Sequence, residues 1–432
     1  MNIFKETGRV CWQVVIALLF IVLAKGSQSF AEKPNVVFLL SDNLGYGELG
    51  SYGGGIIRGA PTPRLDALAK QGTRFTNFNV EVECAPSRSA LMTGRLPFRS
   101  GTGRAMSAGL PSGLAPWEYT IAEMLRDNGY ATAMMGKWHL GSTPGRFPTD
   151  QGFDQWYGIP FSTNVVSYFG QPGFDKAKIA RPSILAGTAA DGVNQVEFYT
   201  PERRRTIDQT ITEKSIDYIK QRAESDKPFF LFVPFTQIHH PYLPHSDFVG
   251  KSGSGAVGDM MMEHDFRVGQ ILDAIDESDI QDNTLVVYAS DNGPDSAHFP
   301  QISNSGPYRG FLGSAYEGSI RTPMIMRWPG KVPAGRVTNE MVAILDFMPT
   351  MANWVGAKLP KGRAYDGKDQ GDFLLGKTDQ SNRDHVIIFS GDTLLAVKWN
   401  QYKIFLSGDD PNPRDRLIDK LWAPRIFNVY DD

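Results

Sequence analysis

An α/β fold is what the 432-residue sequence predicts: a large, mixed but mostly parallel sheet between helices, with a small antiparallel sheet towards the C-terminal end. Three observations carry this. Runs such as Asn35–Ser41 (NVVFLLS) are continuously apolar and of strand length, as strands buried on both faces are. Such runs alternate with stretches of helical period, the pattern of a parallel sheet with crossover helices. Past about residue 370, short strands follow one another with tight turns and no helices between them. Apolar residues make up 41% and charged residues 21% of the chain, enough for a large core, so a wholly disordered or collagen-like chain is excluded. Lys and Arg number 44 against 47 Asp and Glu, a net charge of −3, so no general electrostatic grip on nucleic acid is expected.

The elements follow in order. Lys5 and Arg9 precede the apolar run Val14–Ala24, and Ser29-Phe30-Ala31 offers small residues where a signal peptidase cuts, so residues 1–31 read as a cleaved export signal. An uncleaved membrane anchor is the rival reading, but that run is short for a ~30 Å hydrocarbon core, so cleavage is favoured and no membrane span is expected after it. Cys11 would leave with the signal, and Cys84 would remain as a lone thiol in an oxidising compartment, periplasmic or extracellular. After the strand Asn35–Ser41, Thr62-Pro63 opens a helix that Gly72 stops. Thr120 to Asn128 forms another, ended by Gly129, and Tyr130–Met135 is the next strand. Phe161–Glu197 has weak periodicity and many Gly, Pro and Ser residues, which predicts a long loop or lid. Arg205–Ala223 is helical, Phe229–Phe235 a strand, Met260–Ile275 a helix, Thr284–Ser290 a strand and Ile344–Val355 a helix. Val386–Phe389, Leu394–Val397 and Tyr402–Phe405 are the short strands of the tail. Residues 32–370 form the main domain in this reading, and 371–432 a C-terminal subdomain of open extent.

Polar residues concentrate directly after the buried strands, where open α/β sheets place their sites. Ser41-Asp42-Asn43 follows one strand and Ser290-Asp291-Asn292 another; Gly136-Lys137-Trp138-His139 and Gln237-Ile238-His239-His240 follow two more. Asp42, Asn43, Asp291 and Asn292 are hard oxygen donors suited to Ca²⁺ or Mg²⁺, although either Asp-Asn pair alone also suits a turn. In Cys84-Ala85-Pro86-Ser87-Arg88, Pro86 fits the first turn of a helix. Cys84 then stands just ahead of a helix N-terminus, a place that favours anions, and Arg88 one turn in can reach back to it. A structural cysteine near a helix cap fits the same residues. Of the histidines, adjacent His239 and His240 would face opposite ways in an extended segment, so one at most should enter a site; His264, within a helical stretch, reads as structural.

Cys84-Ala85-Pro86-Ser87-Arg88 with Thr93-Gly94-Arg95 resembles the maturation signature of the type I sulfatases, of alkaline-phosphatase-like fold. Ser41-Asp42-Asn43-Leu44-Gly45-Tyr46-Gly47, Gly136-Lys137-Trp138-His139-Leu140-Gly141, Ser290-Asp291-Asn292-Gly293 and Tyr316-Glu317-Gly318-Ser319-Ile320-Arg321 are similar to the family as well, most of all to its arylsulfatase branch. The resemblance runs from about residue 35 to about residue 405. It implies that a formylglycine-generating enzyme oxidises Cys84 to formylglycine, whose hydrate is the nucleophile. It further implies a divalent cation, usually Ca²⁺ with Mg²⁺ also suited, held by Asp42, Asn43, residue 84, Asp291 and Asn292. By the same resemblance Arg88 stabilises the ionised diol, Lys137 binds sulfate oxygens, His139 is the base that frees sulfate, and His239 serves the departing ester oxygen. The substrate implied is a sulfate ester of a small molecule or glycan.

Two positions depart from the family pattern. Asn43 stands where Asp is usual, which removes one negative charge. Leu312 stands where many members carry a lysine, with Arg309 the nearby candidate for a replacing cation. Two other functions fit the same residues: a hydrolase of phosphate diesters or phosphonates on the same fold, and a sulfated-glycan binder that has lost its chemistry.

Overall fold

The computed structural model describes residues 33–106, 111–172, 180–295, 303–409 and 418–431. The expected export signal lies outside them. In chain order the strands are β1 (Asn35–Ser41), β2 (Thr73–Asn79), β3 (Ala131–Met135), β4 (Gln155–Gly158), β5 (Ser183–Thr188), β6 (Gly192–Phe198), β7 (Phe229–Pro234), β8 (Thr284–Ser290), β9 (Arg321–Arg327), β10 (Val337–Thr338), β11 (Val342–Ala343), β12 (His385–Ser390), β13 (Thr393–Trp399), β14 (Tyr402–Asp409) and β15 (Ile418–Asn428). The longer helices are α1 (Pro63–Gln71), α2 (Cys84–Thr93), α3 (Ile121–Asp127), α4 (Pro201–Ala223), α5 (Gly255–Glu277) and α6 (Phe347–Val355).

The large sheet runs β10-β2-β9-β8-β1-β7-β3-β4-β5-β6, with β11 also on β2. Its centre, β8-β1-β7-β3-β4, is parallel throughout, and antiparallel pairs begin at β8–β9 on one side and β4–β5 on the other. β1 lies in the middle, and its side chains alternate between two cores: Val36, Phe38 and Leu40 join the one containing α2 and α6, while Val37 and Leu39 join the one containing α5. Burial on both faces is why this strand reads as an unbroken apolar run. The large, mostly parallel α/β sheet expected from the sequence is therefore observed, together with the small antiparallel sheet, β12-β13-β14-β15.

Two of the longer helices start at side-chain caps. Thr120 and Glu123 form a reciprocal capping box on α3, and Thr200 accepts from the Arg203 N–H at the head of α4, which begins at Pro201 rather than at Arg205. α2 ends at Gly94, whose φ of 66° suits the left-handed cap and whose missing Cβ would stand 2.7 Å from Met348 Cβ.

Phe161–Glu197 is no simple loop: it holds a 3₁₀ turn, Thr163–Ser167, and the antiparallel hairpin of β5 with β6 at the sheet edge. β6 is largely exposed, so its residues carry little apolar alternation and the strand was invisible to a periodicity argument. β2, β4 and β9 were also unmarked. β9 carries Pro323 inside a buried strand, a residue that ordinarily argues against one.

Candidate active site

β8, β1, β7 and β3 are consecutive neighbours in the sheet, so the four polar turns that follow them share one rim. The turn after β1 brings Asp42 and Asn43, the turn after β8 brings Asp291 and Asn292, and the turn after β3 brings Lys137 and His139. His239 lies beyond β7. α2 delivers Cys84 and Arg88 to the same place from between β2 and α3. All nine predicted site residues are buried, none more than 6% exposed.

Ion pairs organise the centre. Lys137 Nζ lies 2.7 Å from Asp42 Oδ2 and 3.8 Å from Cys84 Sγ. Arg88 donates from Nε and Nη2 to Asp291 Oδ2 at 3.0 and 2.8 Å, and from Nη1 to the Lys137 carbonyl at 2.5 Å. Burial alone would raise Asp42, but Lys137, His239 and Arg88 hold it well below the usual carboxylate range. Burial and the neighbouring Asp42 charge push Asp291 up. Both cations are buried and ion-paired.

Cys84 is the first residue of α2, not a residue ahead of it; the N-cap is Glu83. Burial pushes its thiol up to about 12, with Lys137 opposing and Asp42 and Asp291 adding to the rise. The unmodified side chain is therefore a neutral thiol at ordinary pH and a poor nucleophile, whatever the helix end contributes. His139 Nδ1 lies 3.2 Å from Cys84 Sγ. Burial, with Lys137 and Arg88 nearby, lowers the His139 imidazole well below its ordinary value, so it is neutral and able to accept a proton.

The donor set fits a hard divalent cation. Oxygens of Asp42 and Asp291 and the Cys84 sulfur all lie within 4.8 Å of one another. Asp42 Oδ1 and Asn292 Oδ1 are buried without hydrogen-bond partners, as expected of oxygens set to bind a cation. Asn43 Oδ1 accepts from Asn292 Nδ2 at 2.7 Å, while the Asn43 backbone N–H holds Asp291 Oδ1 at 3.1 Å. The Asp291–Gly293 loop packs directly on Gly318–Ser319: a Cβ on Gly293 would stand 1.9 Å from the Gly318 carbonyl oxygen.

His239 donates from Nδ1 to the His240 carbonyl at 2.6 Å, which leaves Nε2 facing Ser162 Oγ at 3.3 Å. The segment turns instead of running extended, so the two imidazoles do not face opposite ways; their centroids are 4.4 Å apart. His240 Nδ1 lies 2.7 Å from Asp295 Oδ2. Sequence reasoning missed Ser162 and Thr163, whose Oγ1 donates to Asp42 Oδ2 at 3.2 Å, because they sit in the stretch read as a loop. The only signal was Trp156-Tyr157-Gly158, a strand of four residues with Gln155. His264 is structural, 2.7 Å from Ser41 Oγ through Nε2. Arg309, the candidate replacing cation, instead stacks over the Tyr316 ring at 4.6 Å. Glu317 of Tyr316-Glu317-Gly318 clamps the tail: its carboxylate lies 2.6 Å from Lys398 Nζ and 2.9 Å from Lys403 Nζ.

A rim of two carboxylates, two amides, two cations and two imidazoles around one buried cysteine is the equipment of a hydrolase for tetrahedral oxyanion esters. Residues 34–357 match the family described as Sulfatase. The chain is 34% identical to N-acetylgalactosamine-6-sulfatase of Canis lupus familiaris over 91% of this chain and 75% of that protein. It is 36% identical to Arylsulfatase A of Homo sapiens over 89% and 77%. The solved structure of PsFucS1 sulfatase from Pseudoalteromonas sp. superposes with a TM-score of 0.87 at 32% identity, covering 97% of this chain and 88% of that one. The chain belongs to the sulfatase family and is a sulfuric ester hydrolase. The family uses a metal ion and a formylglycine residue.

Proposed function

We propose that this is an exported sulfatase in which Cys84 matures to formylglycine and acts with Ca²⁺, Mg²⁺ being the second choice of ion. The observation that carries the reading is the geometry around residue 84: its Sγ lies within 4.8 Å of oxygens of Asp42 and Asp291, 3.8 Å from Lys137 Nζ and 3.2 Å from His139 Nδ1. Burial pushes the unmodified thiol up, away from the nucleophilic thiolate, which supports a matured group at that position. Asp42, Asn43, Asp291, Asn292 and residue 84 are the proposed ligands. The ion would supply Lewis-acid polarisation of a sulfate oxygen and lower the pKa of the nucleophilic hydroxyl. Formylglycine would supply, as its hydrate, a hydroxyl nucleophile with a second hydroxyl whose deprotonation permits expulsion of sulfate.

The chain's own residues divide the remaining work. Lys137, a compact point charge, attracts sulfate oxygens at the place where it now meets Asp42. Arg88 holds Asp291 in position through two N–H groups and keeps the buried centre from excess negative charge. His139, neutral and 3.2 Å from the γ position of residue 84, takes the proton that must leave that residue. His239 presents Nε2 towards the ester oxygen. Burial pulls its imidazole down to about 3, with Asp42 opposing, and the entering anionic ester adds a second negative neighbour that favours the protonated, donating form.

Export rests on the Lys5 to Ala31 pattern, and maturation would require a formylglycine-generating enzyme as partner. Residues 32–370 are the proposed catalytic unit and 371–432 the C-terminal subdomain. Among the described residues no helix is long and apolar enough to cross a membrane. The test is a mass spectrum of the peptide containing residue 84, from protein of the native host, paired with sulfate release. An aldehyde with activity supports the reading; an intact thiol in fully active protein overturns it.

A further inference from the structure

The turn that carries His239 is held from two sides. On the side of β1, the Asp42 N–H donates to the Gln237 carbonyl and the Ile238 N–H to the Asp42 carbonyl, each at 2.8 Å. On the side of α4, Asp208 Oδ1 accepts the Thr236 N–H at 2.8 Å. The Thr236 hydroxyl donates to Asp208 Oδ2 and accepts from Arg204 Nη1 at 3.0 Å. Arg204 Nη2 donates to the His239 carbonyl at 2.8 Å, and the His239 N–H reaches the Thr236 carbonyl at 3.2 Å. Both backbone ends of His239 are therefore tied to one ion pair, in which Arg204 Nη1 lies 3.4 Å from Asp208 Oδ2. Arg204, Asp208 and Thr236 are each at most 1% exposed. Nothing in α4 itself asks for the pair. Arg204 stands one turn into the helix, near the end whose dipole disfavours a cation, and Arg ahead of Asp at i,i+4 is the weaker order. Nor does stability explain it, since apolar residues of similar volume often serve as well as a buried ion pair.

We propose that Arg204 and Asp208 are positioning residues, an anchor on α4 that fixes the His239 imidazole with Nε2 aimed at the departing ester oxygen. The proposal rests on the sulfatase reading, in which His239 serves that oxygen. The physical link is the peptide plane between His239 and His240. Arg204 holds the carbonyl of that plane, and the imidazole Nδ1–H donates to the next carbonyl along, that of His240, at 2.6 Å. With the first carbonyl pinned, the second stays within reach of Nδ1, so the proton remains on Nδ1 and Nε2 faces Ser162 Oγ at 3.3 Å. Without Arg204 the peptide plane can turn, and the ring redistributes between tautomers and orientations. A misplacement of about 1 Å is enough to cost ~100-fold in rate.

The test is the paired variant Arg204→Gln/Asp208→Asn, which removes both charges together so that neither is left buried and alone. On the matured full chain we expect kcat/KM to fall roughly 10- to 100-fold on an alkyl sulfate, which has a poor leaving group. The loss on 4-nitrophenyl sulfate should stay under about threefold, because its phenolate leaves with little need of a proton. Added to His239→Ala, the paired change should cost no more than about twofold further on the alkyl sulfate, because both act through one imidazole. Equal losses on the two esters, or losses that multiply with that of His239→Ala, overturn the proposal. NMR of isotope-labelled histidine in the unmatured chain, with the His239 signals identified by their absence in His239→Ala, reads the ring without any chemistry. The wild type should show the His239 proton on Nδ1 and the paired variant a mixture; unchanged signals overturn the anchor. If the signals shift and His239→Ala loses as much on 4-nitrophenyl sulfate as on the alkyl sulfate, the role of His239 in the sulfatase reading fails while the anchor stands. Thr236→Val removes only the hydroxyl that joins the two side chains and should move both readouts the same way by less. No movement in either overturns the anchor, whether or not the paired variant folds.

Discussion

Replacing Arg88 with Gln should destabilise the metal-free protein by about 3–5 kcal/mol, the usual cost of leaving a buried charge without its partner. Arg88 is 1% exposed, gives two N–H groups to Asp291 and one to the Lys137 carbonyl, and lies 3.9 Å from Asp42. Glutamine can replace one of these bonds and none of the charge, so Asp42 and Asp291 would share Lys137 as the neighbouring cation. The deficit should depend on pH. Asp291 is already raised by burial and by Asp42, so its contribution to stability is complete below the ordinary carboxylate range and is lost as the pH climbs through its folded value. Without Arg88 that value rises further, so the loss continues to higher pH. Urea unfolding in chelator should show a small deficit near about pH 5 and the full one near about pH 8. Excess Ca²⁺ at the higher pH should narrow it, because the ion would restore positive charge beside both carboxylates. A deficit under ~1 kcal/mol, or one equal at both pH values, would refute the claim that Arg88 neutralises this centre.

Glu81 offers a stability test away from the chemistry. Burial, opposed by Arg383 and reinforced by Asp366, raises it from 4.5 to about 8, so wild-type stability should fall as the pH climbs between those values. Glu81→Gln should melt higher than wild type near about pH 9 and alike near about pH 4; a constant offset would count against a buried proton. Asn43→Asp adds a negative ligand, and calorimetry should find Ca²⁺ bound roughly ten- to hundredfold more tightly; an unchanged Kd would remove Asn43 from the ligand set. His239→Ala should lose ~100-fold or more on an ester with a poor alcohol leaving group and much less on 4-nitrophenyl sulfate. Comparable losses would sink its assignment to the departing oxygen.

The sequence by itself determined the elements whose signals are local. β1, β7 and β8 are apolar runs because both their faces are buried, α1 opens on Pro63 and α3 carries its own capping box, so each is readable without knowing its neighbours. The polar turns after those strands were readable for the same reason, and with the Cys84–Arg88 signature they located the site. Tertiary structure decided what depends on partners distant in sequence. Sheet order placed β8, β1, β7 and β3 side by side, and so brought Asp291 to Arg88 and Asp42 to Lys137. Burial in that shared rim pushed the Cys84 thiol up and the His139 imidazole down. The edge hairpin β5–β6, the Pro323 strand and the contacts of Ser162, Thr163 and Asp295 left no periodic trace, because hydrogen bonds and charges across a sheet edge or turn impose no spacing along the chain.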